Sequence, residues 1–350
     1  MRKLLVNGLV AASMALAFGT ASAQDLNSLI AAAKKEGAVN SLGMPDDWAN
    51  WKDTWAQITK TYGLTHMDND LSSAQEIAKF EAEKTNASGD IGDVGQSFGP
   101  IAVKKGVTQA YKPSTWKDIP AWAKDEDGHW VVAYTGTMSF ISNNKLVKNP
   151  PKTWGDLLTG TYKVTVGEVG VSAQANSALL AAAIAKGGNE KNLEPAYKLF
   201  AELAKQGRIS TIDASVANME KGEVEVALMW DFNSLGKRAI IDPSLFTVSI
   251  PSDGSVSAGY ATIINKYAKN PNAAKLTREY ILSDAGQINL ARGFARPIRS
   301  NVVLPKDAKE KMLPVEQYKN AKPIQDFEGW EITTKGIPRQ WQEQVMVYKK

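Results

Sequence analysis

Hydrophobic positions along the chain follow two rhythms. Apolar runs of about five residues, bounded by glycine, proline or asparagine, read as strands. Longer stretches with apolar residues three and four apart read as helices. The clearest run is 224–230, Val-Glu-Val-Ala-Leu-Met-Trp, which reads as a buried strand in a parallel sheet. It delivers Trp230 and Asp231 at its end, and in open α/β sheets ligands sit beyond the carboxyl ends of the strands. An indole attracts a cation and a carboxylate pairs with it. The same two residues would equally serve as a core aromatic and a cap for the following turn.

Earlier in the chain the order strand, loop, helix repeats. Residues 26–36 form an amphipathic helix stopped by Gly37, and 38–44 a strand. In the turn Pro45-Asp46-Asp47-Trp48, Asp46 or Asp47 is placed to cap the next helix. Trp48, Trp51 and Trp55 share one face of that helix, a core stripe from which Trp48 would reach a ligand. A strand at 63–67 and a helix at 74–83 follow. Ser72 or Ser73 is the N-cap, with Glu76 at the capping-box position, and the free N–H groups of such a start also suit an anion. Beyond the short strand around Ile91 and Val94, the segment Gly95-Gln96-Ser97-Phe98-Gly99 lets backbone approach a partner closely.

Residues 130–143 read as two extended runs, and Pro150-Pro151 marks a boundary. Thr153 caps a short helix over 154–158. A second set follows: strand 162–166, a small-residue loop 167–177, and helices 178–185, 195–205 and 216–221. The loop, with Ser172, Ala173 and Gln174, is the best anion cradle in the chain. It lacks G-x-x-x-x-G-K-[ST] and so is no nucleotide P-loop. Strands at 246–251 and 258–264 and helices at 272–282 and 284–292 complete the pattern, with Arg292, Arg296 and Arg299 as surface or interlobe groups. The alternation implies an α/β architecture, helices on both faces of a parallel sheet.

The length of 350 residues suits about two domains. Residues 1–23 stand apart from any core: Arg2 and Lys3, an apolar stretch over 4–18, then Ala21-Ser22-Ala23. This is the pattern of a cleaved secretory signal peptide, which predicts a periplasmic protein. Cleavage removes two positive charges, Arg2 and Lys3, from a net +4, and the nearly neutral remainder offers no basic run for nucleic acid. The absence of cysteine excludes disulfides, thiolate metal sites and a lipid-modified cysteine. No later stretch reaches 18 apolar residues, so no transmembrane span is expected.

With these motifs in place, the chain resembles periplasmic solute-binding proteins of ABC importers. The nearest branch includes ferric-iron, polyamine, thiamine and aminoalkylphosphonate binders. The resemblance is carried by Asp90-Ile91-Gly92-Asp93-Val94, by Ser139-Phe140-Ile141-Ser142-Asn143-Asn144-Lys145-Leu146-Val147, and by Pro151-Lys152-Thr153-Trp154-Gly155-Asp156-Leu157-Leu158. It continues through Gly222-Glu223-Val224-Glu225-Val226-Ala227-Leu228-Met229-Trp230, and through Asn272-Ala273-Ala274-Lys275 with Leu282-Ser283-Asp284-Ala285-Gly286-Gln287. The resemblance implies a two-lobed periplasmic binding protein fold with a ligand cleft between α/β lobes that close on a hinge. One lobe would comprise 24–133 and 258–300, the other 134–257 and 301–350, with crossing strands near 134–140 and 258–263. Carried over position by position, the ligand loops contain Asp46, Asp47, Trp48, Ser72, Ser73, Gln96, Ser97, Tyr134, Ser172, Ala173, Gln174, Trp230 and Asp231. The implied partners are a small-molecule ligand and an inner-membrane ABC permease, for a monomer without a cofactor.

The ferric binders of the branch carry two adjacent tyrosines where this chain has Trp230 and Asp231. The two histidines, His66 and His129, fall outside the expected ligand loops. The expected solute is therefore a small, charged, amine-bearing organic molecule such as a polyamine or aminoalkylphosphonate. A ferric carrier is the alternative reading, and a periplasmic enzyme a further one. Against the enzyme stand the missing G-x-S-x-G, H-E-x-x-H and nucleophilic cysteine.

Overall fold

The structure is a computed structural model and describes residues 26–349; the expected signal segment lies outside the described residues. Strand β1 (Ala38–Leu42) pairs in parallel with β2 (Thr65–Asn69) on one side and β3 (Ile91–Gly95) on the other. β3 is buried along its whole length, as an internal strand must be, whereas β2 forms the partly exposed edge. After the two-residue β4 (Thr108–Gln109) comes β5 (Trp130–Asn143), a single strand where two extended runs were expected. Its apolar residues remain buried from Val131 onward, so nothing in the sequence interrupts it.

β5 belongs to two sheets. Residues 130–137 pair antiparallel with β10 (Ser255–Asn265), which continues to β3. Residues 138–143 pair antiparallel with β8 (Val226–Trp230) and β9 (Phe246–Ser249). β8 is parallel to β6 (Val164–Thr165), and β6 to β7 (Ile209–Ser210). The path is therefore β2-β1-β3-β10-β5-β8-β6-β7, with β11 (Arg296–Pro297) on β5 and β12 (Ala321–Pro323) on β10. The sheet is mixed rather than parallel throughout, because β5 and β10 run against the strands that flank them. A two-lobed α/β architecture results, with parallel β-loop-α units on each side of the shared strands.

Several local expectations shift by a few residues. The helix after β1 is Trp51–Tyr62, so neither Asp46 nor Asp47 caps it. Its N-cap is Asn50, left-handed like Ala49 before it, and Asn50 Nδ2 donates to Asn289 O at 3.0 Å. Trp48 stands before the helix in the turn, while Trp51 and Trp55 are core residues on it. In Ser73–Glu83 the capping box uses Ser72 and Gln75, which releases Glu76 to turn inward. The helix expected from 178 begins at Ala173, because nothing after Gly170 resists helical geometry. Thr153 does cap Trp154–Thr159, accepting from Asp156 N at 3.1 Å. Arg299 is 6% exposed rather than superficial, and pairs with Asp118 and Asp284.

Candidate functional site

A cleft of about 480 Å³ lies between the ends of β1–β3 and those of β6 and β8. The wall built on β1–β3 contributes Gly43, Asp47, Trp48, Asp70, Ser72, Ser73, Glu76 and Asp93. The opposite wall contributes Thr165, Glu168, Ser172, Ala173, Gln174, Asp213, Ser215, Asn233 and Lys237. Tyr260 on the crossing strand β10 lines it as well. Parallel strands deliver their carboxyl ends to one place, and the helices that follow them begin there.

The expected site residues divide between this cleft and other places. Trp48, Ser72, Ser73, Ser172, Ala173 and Gln174 line it. Asp46 is exposed and outside the lining, which takes its neighbour Asp47 instead. Gln96 and Ser97 line a second pocket, with Trp122, Trp130 and Phe327. Tyr134 is fully buried beneath the cleft. Its hydroxyl accepts from Trp48 Nε1 at 2.7 Å and donates to Asp93 Oδ2 at 2.5 Å, so it positions two cleft residues.

Trp230 and Asp231, the pair that the strand pattern singled out, are each 1% exposed and are not among the residues that line the cleft. Trp230 Nε1 donates to Tyr260 Oη at 3.2 Å. Asp231 accepts from Thr137 N at 2.8 Å and from Tyr318 Oη at 2.7 Å, with Arg296 Nε 4.0 Å away. In this arrangement the Asp231 carboxylate is already committed to protein donors. What β8 contributes directly to the cleft is Ala227, Leu228 and Met229.

Sequence reasoning missed most of the acidic groups and the one basic group. Asp47, Asp70, Glu76, Asp93, Glu168 and Asp213 line the cleft, with Lys237 as its single lysine or arginine. Two signals were present: Asp93 lies in a short strand just before its end, and Lys237 lies about two helical turns beyond Trp230. Lys237 is 8% exposed, and its Nζ lies 3.4 Å from Asp47 Oδ2 across the cleft. Burial pushes the Asp70 carboxyl up, the Asp47 charge adds to this, and Lys237 opposes it. Burial first, and then the neighbouring Asp93 charge, holds Glu76 well above the usual carboxylate range. Burial raises Asp93 in the same way, opposed by the Tyr134 hydroxyl and the Trp51 indole beside it.

Aromatic rings form the floor beside these acids. Trp48 meets Phe232 and Tyr260 edge-on, each with centroids 5.3 Å apart. Tyr134 and Tyr260 stack at 5.6 Å. Opposite, the N-terminus of Ala173–Ala185 opens onto the cleft with no acid in its first turn and no side-chain cap from Ser172. Gln174 Oε1 accepts from Trp230 N at 3.0 Å and Asn233 Nδ2 at 3.1 Å, which fixes that helix start to β8. Four buried side-chain oxygens along the cleft lack a partner among the described residues: Glu76 Oε1, Asp93 Oδ1, Thr165 Oγ1 and Asn233 Oδ1. Unsatisfied buried polar atoms are uncommon in folded proteins, and these four belong to residues that a ligand in the cleft would meet.

Near the cleft, Ser41 Oγ hydrogen-bonds both His66 Nε2 and Asp68 Oδ1. Ser41 is 1% exposed, and burial lowers His66 to about 4, so the trio is a buried stitch between β1 and β2. Among the described residues no group of three or more histidine, aspartate or glutamate side chains is placed to hold a metal ion.

Comparison with known proteins gives a consistent picture. A protein from Salmonella typhimurium strain LT2, provisionally named a 2-aminoethylphosphonate-binding periplasmic protein, is 22% identical over 274 residues, 71% of this chain and 75% of its own length. The periplasmic binding protein AfuA from Actinobacillus pleuropneumoniae, solved with exogenous fructose-6-phosphate, superposes with a TM-score of 0.72 at 19% identity, covering 88% of this chain and 98% of its own. PotD of Streptococcus pneumoniae, a spermidine/putrescine ABC transporter substrate-binding protein, gives 0.64 at 15% identity, covering 89% and 99%. At these identities the structural matches establish the two-lobed fold. The family model for bacterial extracellular solute-binding proteins matches residues 89–322. The chain belongs to that family of bacterial extracellular solute-binding proteins.

Proposed function

We propose that this protein captures a small solute bearing both an ammonium and an anionic group, of the aminoalkylphosphonate class, in the periplasm. It then presents the closed complex to an inner-membrane ABC permease. One observation carries the ligand class: the cleft holds two regions of different character, one of carboxylates and aromatic rings and one at a helix start beside Lys237, although Glu168 and Asp213 also lie on that second side. Trp48, Tyr260, Asp93 and Glu76 offer an aromatic face and carboxylates, which suit an ammonium group. The helix start at Ser172–Gln174, with Lys237 and Asn233, offers N–H donors and a positive charge, which suit a phosphonate or phosphate. A sugar phosphate would leave the carboxylates unpaired, and a polyamine would meet Lys237 and a helix N-terminus with the wrong charge. The name of the Salmonella relative and the ligand in the AfuA structure support an anionic group on the solute.

Titration calorimetry tests this directly. 2-Aminoethylphosphonate is expected to bind at least about tenfold more tightly than ethylphosphonate, putrescine or fructose 6-phosphate. Equal or tighter binding of putrescine or of the sugar phosphate would overturn the ligand class while leaving the family intact.

A further inference from the structure

Glu76 is completely buried, in the first turn of Ser73–Glu83. Two glycines make room for its carboxyl group. A Cβ on Gly43 would collide with Oε1, and one on Gly92 would lie 2.5 Å from Oε2. Oε2 accepts from Asp93 N at 3.0 Å, while Oε1 has no partner among the described residues, and Glu76 is among the residues that line the cleft. Asp93 is 2% exposed and is also half-satisfied, with Oδ2 held by Tyr134 and Oδ1 unpartnered.

The titratable groups facing this pair are acids or phenols: Asp68 and Asp70 from β2 and its loop, Tyr134 from β5, and Tyr260 from β10. Lys237 acts instead on Asp47 and Asp70. Two carboxyl groups in a dry wall with no basic partner cannot both stay ionised at low cost.

We propose that Glu76 and Asp93 form a proton-exchanging ammonium subsite. In the empty cleft the pair keeps a proton on one carboxyl group. The arriving ammonium group of the ligand replaces that proton, which leaves to solvent, and the ligand's N–H groups fill the unpartnered oxygens. This inference rests on the zwitterionic-ligand reading above and adds two properties to it. Binding releases a proton, and the subsite selects amines that retain N–H donors over quaternary ammonium groups.

The experiment is calorimetry of the intact mature protein with 2-aminoethylphosphonate, at one pH, in buffers of low and high ionisation enthalpy. The expected result is release of about one proton per ligand. Glu76→Gln should abolish the release and weaken binding at least about tenfold, and the N-trimethyl derivative should bind at least about tenfold more weakly than the primary amine. Glu76→Gln keeps an acceptor for Asp93 N; Asp93→Asn is the second variant, and circular dichroism checks that both fold. In the ligand-free protein, a protonated-carboxyl infrared band should disappear in Glu76→Gln.

Tight binding without proton release, or unchanged release in both variants, would overturn the subsite while leaving the ligand class standing. If no amine-bearing anion binds, the ligand class fails and the subsite with it.

Discussion

Gly95 and Ala173 meet across the cleft: a Cβ built on Gly95 would overlap the Cβ of Ala173. Gly95 ends β3 and Ala173 begins the helix Ala173–Ala185, so the contact joins the two walls directly. The φ of Gly95 is negative, so glycine is needed for space and not for backbone freedom. Gly95→Val should prop the walls apart. Ligand affinity should fall at least about tenfold, or roughly 1.4 kcal/mol. The radius of gyration from small-angle scattering with ligand should stay at the open value, while the melting temperature changes little.

Lys237→Ala removes the single basic side chain of the cleft. A charge-assisted hydrogen bond contributes about 1.5–3 kcal/mol, so affinity for an amine-bearing phosphonate should fall roughly ten- to hundredfold. The ion pair with Asp47 is 3.4 Å long and half-exposed on the Asp47 side, so stability of the empty protein should change by about 1 kcal/mol at most. Calorimetry and thermal melts on the same variant separate the two effects.

Asp231→Ala should do the reverse. The carboxylate is buried and holds Thr137 N and Tyr318 Oη, so its loss orphans those donors at a cost of about 2–3 kcal/mol. Denaturant melts should show this destabilisation. Affinity measured well below the melting temperature should fall less than in Lys237→Ala. A larger loss of affinity than of stability would return Asp231 to the ligand site.

The ligand-free protein should show two opposed pH dependences. Glu76 is raised well above 4.5 in the folded state, chiefly by burial. A raised carboxyl group favours folding below its unfolded value, and that contribution fades as pH climbs through the folded value. The melting temperature of Glu76→Gln relative to wild type should therefore increase from pH 5 to pH 8.

His66 has the other sign. Burial lowers it from 6.5 to about 4, so its neutral form supports folding above 6.5 and that support is lost as pH falls toward 4. His66→Phe, which keeps a ring to stack on Trp55, should flatten the acid limb of the stability profile.

The resemblance to solute-binding proteins implied the two-lobed class and the general address of the cleft; the sequence by itself determined the order of strands and helices and the loops at their ends. These are local properties: hydrophobic period, caps such as Thr153, and loops at strand ends. It therefore placed Trp48, Ser72, Ser73 and Ser172–Gln174 in loops that do line the cleft. Only the tertiary structure decided which way each side chain at a strand end turns. Trp230 and Asp231 lie at the expected strand end, yet β5 and the C-terminal Tyr318 claim them. Glu76 has the spacing of a capping residue, yet the capping box formed with Gln75 and left Glu76 to enter a niche between Gly43 and Gly92. Such choices depend on partners distant in the chain, such as Thr137 for Asp231 and Gly43 for Glu76, which no local period encodes.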